Sequence, residues 1–409
     1  MAGPRIAYVC ADRGVPIGGH KGSSTHVTEL VRALQARGAE VRILAARSEA
    51  DGLPAPVEDL GAERATRQTR QTLFADARGP RAEARAAEAF GVLLNQPLGR
   101  ALERLHRRWP FDAVYERYSL WSVAAASFAR AAGVPHLLEV NAPLREEQRR
   151  YRTLENPALA ASIESFVLRG ASHVLIQSEA LRPYVVRHGA EARRVHVLPN
   201  AADPSRFAPR PVRAAGDPFV IGFLGTLKPW HGLDQLLRAV RQLRRRWDGY
   251  RLLIAGDGPL RAELERTVRA SGLRDVTTFT GPLAHAEVPA ALARMDAGVA
   301  PYPRLAGFYF SPLKVFEYLA AGVPVVASDI GQLGELLADG ETALLHRPGS
   351  VGELVEAIDR LRRQPARAAA LARAGRSLVR RRYTWSHNAA RVLRLVAAET
   401  RRGARRRGA

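Results

Sequence analysis

Cysteine is almost absent. Cys10 stands alone among 409 residues, which excludes an intrachain disulfide and fits a reducing compartment. It lies in the apolar run RIAYVCA, where a small buried hydrophobe is expected rather than a reactive thiol. Lysine is nearly as scarce: of 62 basic residues only Lys21, Lys228 and Lys314 are lysine, and 59 are arginine. Long apolar runs are missing too, none nearing the ~18–20 residues that span a bilayer. The stretch 1–12 has no small-residue cleavage site behind it, so no secretory signal is expected. No RNA-stacking signature, zinc-knuckle spacing or short repeat occurs, so nucleic acid is not an expected partner. These absences leave a soluble, cytoplasmic, globular chain.

What is abundant is positive charge, +22 net with 46% hydrophobic residues. Stretches such as LERLHRRW and RQLRRRWDGY read as solvated helix faces, and a general preference for arginine explains much of the surplus. Attraction to acidic small molecules, or peripheral contact with an anionic membrane at its inner face, stays open.

A chain this long suggests two to three domains. In its first half RIAYVCA, EVRILAAR, AVYER, HLLEV, HVLIQS and RVHVLP alternate with helical stretches. In its second half FVIGFLG, RLLIAGDG, VTTFTG, AGVAPYP, PVVASD and TALLHR do the same. Short apolar runs between amphipathic helices predict α/β architecture: two doubly wound, Rossmann-like domains with parallel sheets. The expected division is 1–206, a linker at 207–217 rich in Pro and Ala, and 218–384. A C-terminal helix at 385–400 and a basic, disordered tail at 401–409 follow. The Arg-rich stretch from Ser48 to Arg108 is expected to be helical and partly a mobile insertion facing the acceptor.

Three strand-to-helix loops carry the candidate chemistry. GVPIGGHKGSST holds Gly18, Gly19, Lys21 and Gly22 before a helix expected to begin near Ser24–Thr25, with Ser23, Ser24 and Thr25 as possible caps. Its backbone amides suit a phosphate or a sugar, although a tight structural turn explains it nearly as well. FLGTLKPWHG places Lys228, Trp230 and His231 at the carboxyl end of a strand, where open α/β sheets bind ligands. Trp230 and His231 taken singly fit packing roles. FSPLKVFEYLAAG puts Lys314 and Glu317 at the start of a helix that stops at Gly322. Glu317 there suits a sugar hydroxyl pair or a salt bridge, and Lys314 alone could be a surface cation. Where arginine replaces lysine throughout, the three lysines that remain mark places where the two are not interchangeable. All three fall in such loops.

Over nearly its whole length the chain resembles family 4 glycosyltransferases of the GT-B fold, with two facing Rossmann-like domains. The resemblance rests on GGHKGSSTHVTELVRALQARGAEV, EVNAPLREE, VLIQSEALRPYV, VHVLPNAADPSRFAP, GFLGTLKPWHG, LLIAGDGP, FTGPLAHAEVPAAL and SPLKVFEYLAAGVPVVASDIGQLGELL. It implies transfer of a sugar from a nucleotide-sugar donor, UDP-linked for preference, to an unidentified acceptor hydroxyl with retention of configuration. Neither metal nor cofactor is expected. By that resemblance the second domain holds the donor and the first receives the acceptor. Glu317 matches the second acid of the E-x7-E motif, a ribose ligand; Ser311, Leu313 and Lys314 match the loop at the diphosphate. Gly19, Lys21 and Gly22 approach the donor phosphates, while Thr226, Gly256 and Gly281 border the donor site.

Three positions depart from the pattern. Tyr309 stands where the first acid is expected, and Thr226 and His231 stand where an Arg and a Lys are usual. Lys228 and Lys314 are therefore expected to stabilise the leaving diphosphate, with His231 assisting. His26, Glu139, Asn141 and Glu146 are expected on the acceptor side, with Asn141 where many relatives carry His. A further expectation is closure of the domains about 207–218 to exclude water. The alternatives are another GT-B enzyme acting on sugar nucleotides and a diverged, non-catalytic sugar-nucleotide-binding protein.

Overall fold

The computed structural model describes residues 3–49, 53–208 and 217–407. The chain forms two compact units: one of residues up to Gly19, Ser23–Pro199 and from Ser386 onward, the other of His20–Gly22 and Asn200–Trp385.

The first unit is built on seven strands: β1 (Arg5–Cys10), β2 (Glu40–Ala45), β3 (Val57–Asp59), β4 (Ala113–Arg117), β5 (His136–Val140), β6 (His173–Ile176) and β7 (Val195–Val197). They pair in parallel in the order β3-β2-β1-β4-β5-β6-β7. The second unit has six: β8 (Phe219–Leu224), β9 (Tyr250–Ala255), β10 (Thr277–Gly281), β11 (Ala297–Ala300), β12 (Val325–Ser328) and β13 (Leu344–His346). Their order, β10-β9-β8-β11-β12-β13, is again all parallel. In each sheet the winding direction reverses beside the first strand, between β1 and β4 and between β8 and β11. Loops leaving the carboxyl ends of strands near such a reversal diverge and leave room for a ligand.

Both faces of each sheet are covered, which explains why the strands read as continuous apolar runs. In β9 the pleat sends Leu252 and Ile254 into one core with Ile221 and Phe223. Leu253 and Ala255 go into the other with Leu224 and Ala300. Cys10 is fully buried, donates to the Val15 carbonyl at 3.5 Å, and burial pushes its thiol up to about 12. It is an inert core residue.

Helix α1 (Gly22–Ala36) starts two residues earlier than expected, so Ser23, Ser24 and Thr25 lie inside its first turn and are not caps. Between Ser48 and Arg108 the chain forms β3 and three helices. The last, α2 (Asn95–Arg108), buries Leu98, Ala101 and Leu102 against the first sheet. Helix α3 (Leu313–Ala321) ends as expected at Gly322, whose φ of 69° is cheap only for glycine.

One expectation at the C-terminus is corrected. The tail at 401–409 was expected to be disordered, but helix α4 (Trp385–Arg407) continues through most of it. From Ser386 onward this helix belongs to the first unit, with Arg37 donating to Ser386 and Asn388 to the Pro199 carbonyl at 2.8 Å. Most of the expected linker, residues 209–216, lies outside the described residues. Among the described residues no helix is long and apolar enough to cross a membrane.

Candidate active site

In the second unit the loops after β8, β9 and β10 meet. Gly225 follows β8 with φ 126°, and an added Cβ would fall 3.3 Å from Lys314 Cε and Nζ. Gly256 follows β9 with φ 136°, and its added Cβ would lie 2.2 Å from the Gly225 carbonyl oxygen. Both positions need glycine for conformation and for space. Leu227 N–H donates to the Asp257 carbonyl at 3.0 Å and Gly256 N–H to Thr280 Oγ1 at 3.3 Å, while Gly281 forms a bridge with Gly256. The expected residues Thr226, Gly256 and Gly281 are thus brought together at adjacent strand ends.

Lys314 occupies the first turn of α3 but is not a surface cation. It is 7% exposed, and its Nζ lies 3.8 Å from the centre of the Phe223 ring and 5.8 Å from that of Tyr302. The ammonium group has no hydrogen-bond partner among the described residues. Burial lowers its pKa to about 7, only partly opposed by the charge of Glu317 one turn further on. Glu317 is equally buried. The π faces that hold Lys314 are neutral, so its N–H groups and its charge stay uncommitted.

Lys228 repeats the arrangement nearer the surface, with Nζ 5.5 Å from the Trp230 ring centre. Trp230 in turn lies parallel to Phe310, ring centres 6.5 Å apart, and Tyr309 packs against Phe310. His231 Nδ1 stands 2.6 Å from the Thr226 carbonyl oxygen. A carbonyl only accepts, so Nδ1 carries the proton. Burial and the charges of Lys314 and Lys228 hold the ring well below its ordinary pKa, so it is neutral near pH 7. Ser311 is buried as well; its Oγ accepts from Asn200 N–H at 2.9 Å, and its carbonyl accepts from the Asn200 side chain. Leu313 opens α3 and is half-buried.

Gly19 and Lys21 lie between β1 and α1 and Gly22 opens α1, with Lys21 and Gly22 exposed; of the three, only Gly19 belongs to the first unit. The acceptor-side candidates divide into two groups. His26, on α1, places Nε2 2.5 Å from Glu139 Oε1, and both side chains are almost wholly buried. Asn141 Nδ2 donates to the same oxygen at 2.8 Å. Burial alone would raise the Glu139 pKa, but His26, Arg117 and Asn141 outweigh it and hold the carboxylate at about 2. Glu146 stands apart, exposed on the helix Leu144–Tyr151.

Several polar groups escaped sequence reasoning. Tyr8 and Tyr115 stack 5.0 Å apart beneath Glu139, on the sheet face that β1 and β4 share with Arg117. Glu164 is fully buried, taking hydrogen bonds from Tyr118, Tyr184 and Arg145, partners 19 to 46 residues away in sequence. Ser122 and His136 bind opposite oxygens of buried Glu116, at 2.7 and 2.8 Å. That trio contains the residue types of a hydrolase triad without a Ser–His contact, so it is structural. Period-2 alternation could have put Tyr8, Tyr115, Arg117 and Glu139 on one face; the long-range partners left no local signal.

Two parallel, doubly wound sheets, each with its ligand edge at a winding reversal, define the GT-B architecture. Residues 218–364 match the family described as glycosyl transferases group 1, and residues 21–201 match the glycosyl transferase 4-like domain. A 2-deoxystreptamine glucosyltransferase of Streptomyces kanamyceticus is 30% identical over 292 residues, covering 67% of this chain and 74% of that protein. A GDP-mannose-dependent alpha-(1-6)-phosphatidylinositol monomannoside mannosyltransferase of Mycobacterium tuberculosis is 34% identical over 212 residues, 49% of this chain and 55% of the relative. The structure of Anabaena HepE in complex with UDP and glucose superimposes with a TM-score of 0.72 at 18% identity, covering 97% of this chain and all of that one. The chain belongs to the family 4 glycosyltransferases.

Proposed function

We propose that the protein transfers a sugar from a nucleoside-diphosphate donor, UDP-linked for preference, to an acceptor hydroxyl, with retention and without a metal. In this reaction the bond from the sugar C1 to the diphosphate oxygen breaks and a bond from C1 to the acceptor oxygen forms. The acceptor's proton passes to the released diphosphate, which acts as its own base. The difficult event is the build-up of negative charge on that leaving group.

The buried ammonium of Lys314 carries this reading. It is kept charged-capable by rings rather than by a carboxylate, at the first turn of a helix whose positive end also favours an anion. Such a group costs stability in the empty protein and recovers it only when an anion arrives. Lys228 supplies a second charge of the same construction. The arriving diphosphate raises the pKa of His231, whose Nε2 then becomes a third donor. Glu317 suits the ribose hydroxyls of the donor, and Asn141 and Glu139 the acceptor.

The test is a thermal-shift screen of UDP-, GDP- and dTDP-sugars, followed by release of free nucleotide as the measure of turnover. A stabilising donor that is turned over, with both effects lost in Lys314→Ala, supports the reading. Stabilisation without turnover would make the protein a sugar-nucleotide-binding module instead.

A further inference from the structure

The helix Pro157–Gly170 of the first unit is apolar on two sides. Ala160, Ile163, Val167 and Leu168 are buried, as its inner face requires. The outward stripe Leu159, Ser162, Phe166 and Arg169, spaced by three and four residues, should be polar on a solvated helix. Instead it carries two large apolar side chains, Leu159 at 45% and Phe166 at 42% exposure, and no acid. The stripe borders a groove of about 630 Å3 against the neighbouring helix Ala124–Ala132. Ala126, Ala161, Ser165 and Gly170 line it, and such short side chains leave the space between the helices unfilled. The charged residues of the lining are Arg130 and Arg169, one in the last turn of each helix. Neither makes a hydrogen bond or an ion pair among the described residues. A helix end that favours a cation explains the arginines. It does not explain a bare phenyl ring one turn before Arg169.

We propose that the face formed by these two helices docks on an anionic lipid bilayer. Phe166 and Leu159 enter the headgroup layer, while Arg130 and Arg169 pair with the anionic groups of the lipids. Apolar side chains joined to unanswered positive charge suit that boundary, where rings sink in and guanidinium groups stay with phosphate. A second copy of the chain fits worse, because a twofold contact brings the same two arginines together from both copies. The surplus of +22 over the whole chain draws it to an anionic surface, and the groove decides which face arrives. Docking of this kind is independent of the sugar transfer proposed above.

The experiment is flotation of the full chain with vesicles of phosphatidylcholine, alone or with about one third phosphatidylserine. The native protein should float with the anionic vesicles at low salt and not with the neutral ones. An arginine near an anionic surface is worth about fivefold in binding, so Arg130→Gln with Arg169→Gln should weaken it about 25-fold. Arg241→Gln with Arg245→Gln, exposed on the helix Leu233–Arg246 of the second unit, removes the same charge. That control should cost less than about twofold, being screened from the contact. Phe166→Ser should weaken binding about tenfold and leave its salt dependence unchanged, since the ring contributes apolar area. All five side chains are exposed, so Tm should stay native in every variant. Ser162→Cys carrying an environment-sensitive dye gives a direct reading, because Cys10 is fully buried and escapes the label. Its emission should shift to the blue with anionic vesicles, and that of a dye on Arg241→Cys should not. No flotation of the native protein, equal losses in the two arginine pairs, or no blue shift at position 162 would overturn the proposal. A dimer in sedimentation that Phe166→Ser dissolves would also overturn it, by giving this face to a second copy.

Discussion

Lys314 Nζ lies 3.8 Å from the centre of the Phe223 ring, and no acceptor atom meets it. A charge held in this way opposes folding and serves binding, so substitutions should move stability and activity in opposite directions. Lys314→Met fills nearly the same volume without the charge. It should raise Tm by a few degrees, in line with about 1–4 kcal/mol for replacing buried ions by apolar groups, and reduce kcat about 10²–10³-fold. Lys314→Arg should also lose turnover, because the wider guanidinium meets Gly225 and Phe223. Calorimetry and nucleotide release check both; full activity in the Arg variant would remove the role assigned to the lysine.

The same group should make stability depend on pH. Its pKa is about 7 in the folded protein against 10.5 for an ordinary lysine. Between those values the unfolded chain keeps a proton that the folded protein has released, so stability contributed here rises with pH from about 7 to about 10.5. The Tm gap between Lys314→Met and the native protein should therefore narrow across that window. Donor binding at pH 8 should take up a proton, visible as a buffer-dependent heat in titration calorimetry.

Gly225 is the space that Lys314 uses. Gly225→Ala forces φ 126° on a residue with a Cβ and pushes that Cβ to 3.3 Å from the lysine. A loss of about 1–3 kcal/mol is expected, together with weaker thermal stabilisation by the donor that binds the native protein.

His231 separates a structural nitrogen from a functional one. Asn at 231 can reproduce the Nδ1–H donated to Thr226, and Gln can reproduce Nε2. His231→Asn should keep the native Tm and lose donor affinity, while His231→Gln should do the reverse. Equal loss of both properties in both variants would show that the ring merely fills space.

Much of this was legible in the sequence, for physical reasons. Strands covered on both faces are largely apolar, and twelve of the thirteen among the described residues stood out as such runs between helices. The exception, β3, is three residues of which only Val57 is apolar, and it is an edge strand fixed through Asp59 bonding to Ser48. The lysines were conspicuous because arginine is used almost everywhere else. What no local pattern showed was that Lys314 points inward onto Phe223, ninety-one residues earlier in the chain. His26 and Glu139 meet across an even longer stretch. The tail misled because its composition is that of disorder, while the helix preceding it simply carries on.

The helix α4 gives a fifth test. It buries Ala389, Val392 and Val396 at 0–1% exposure. Removing residues 385–409 exposes apolar area worth about 1.5–3 kcal/mol for each valine, a large part of a typical domain's stability. Insoluble expression is expected. Removing only 401–409 should leave Tm within about two degrees, since all three of those residues stay in place.

That helix also sets an order of events during synthesis. The second sheet is made from one uninterrupted stretch and can be completed while its successor is still being translated. The first sheet is laid down earlier yet must wait, for about 10–40 s at ordinary rates of synthesis, until residues beyond 385 exist to cover it. Over that interval the oldest part of the chain is the one most exposed to aggregation, and a chaperone would be needed there first.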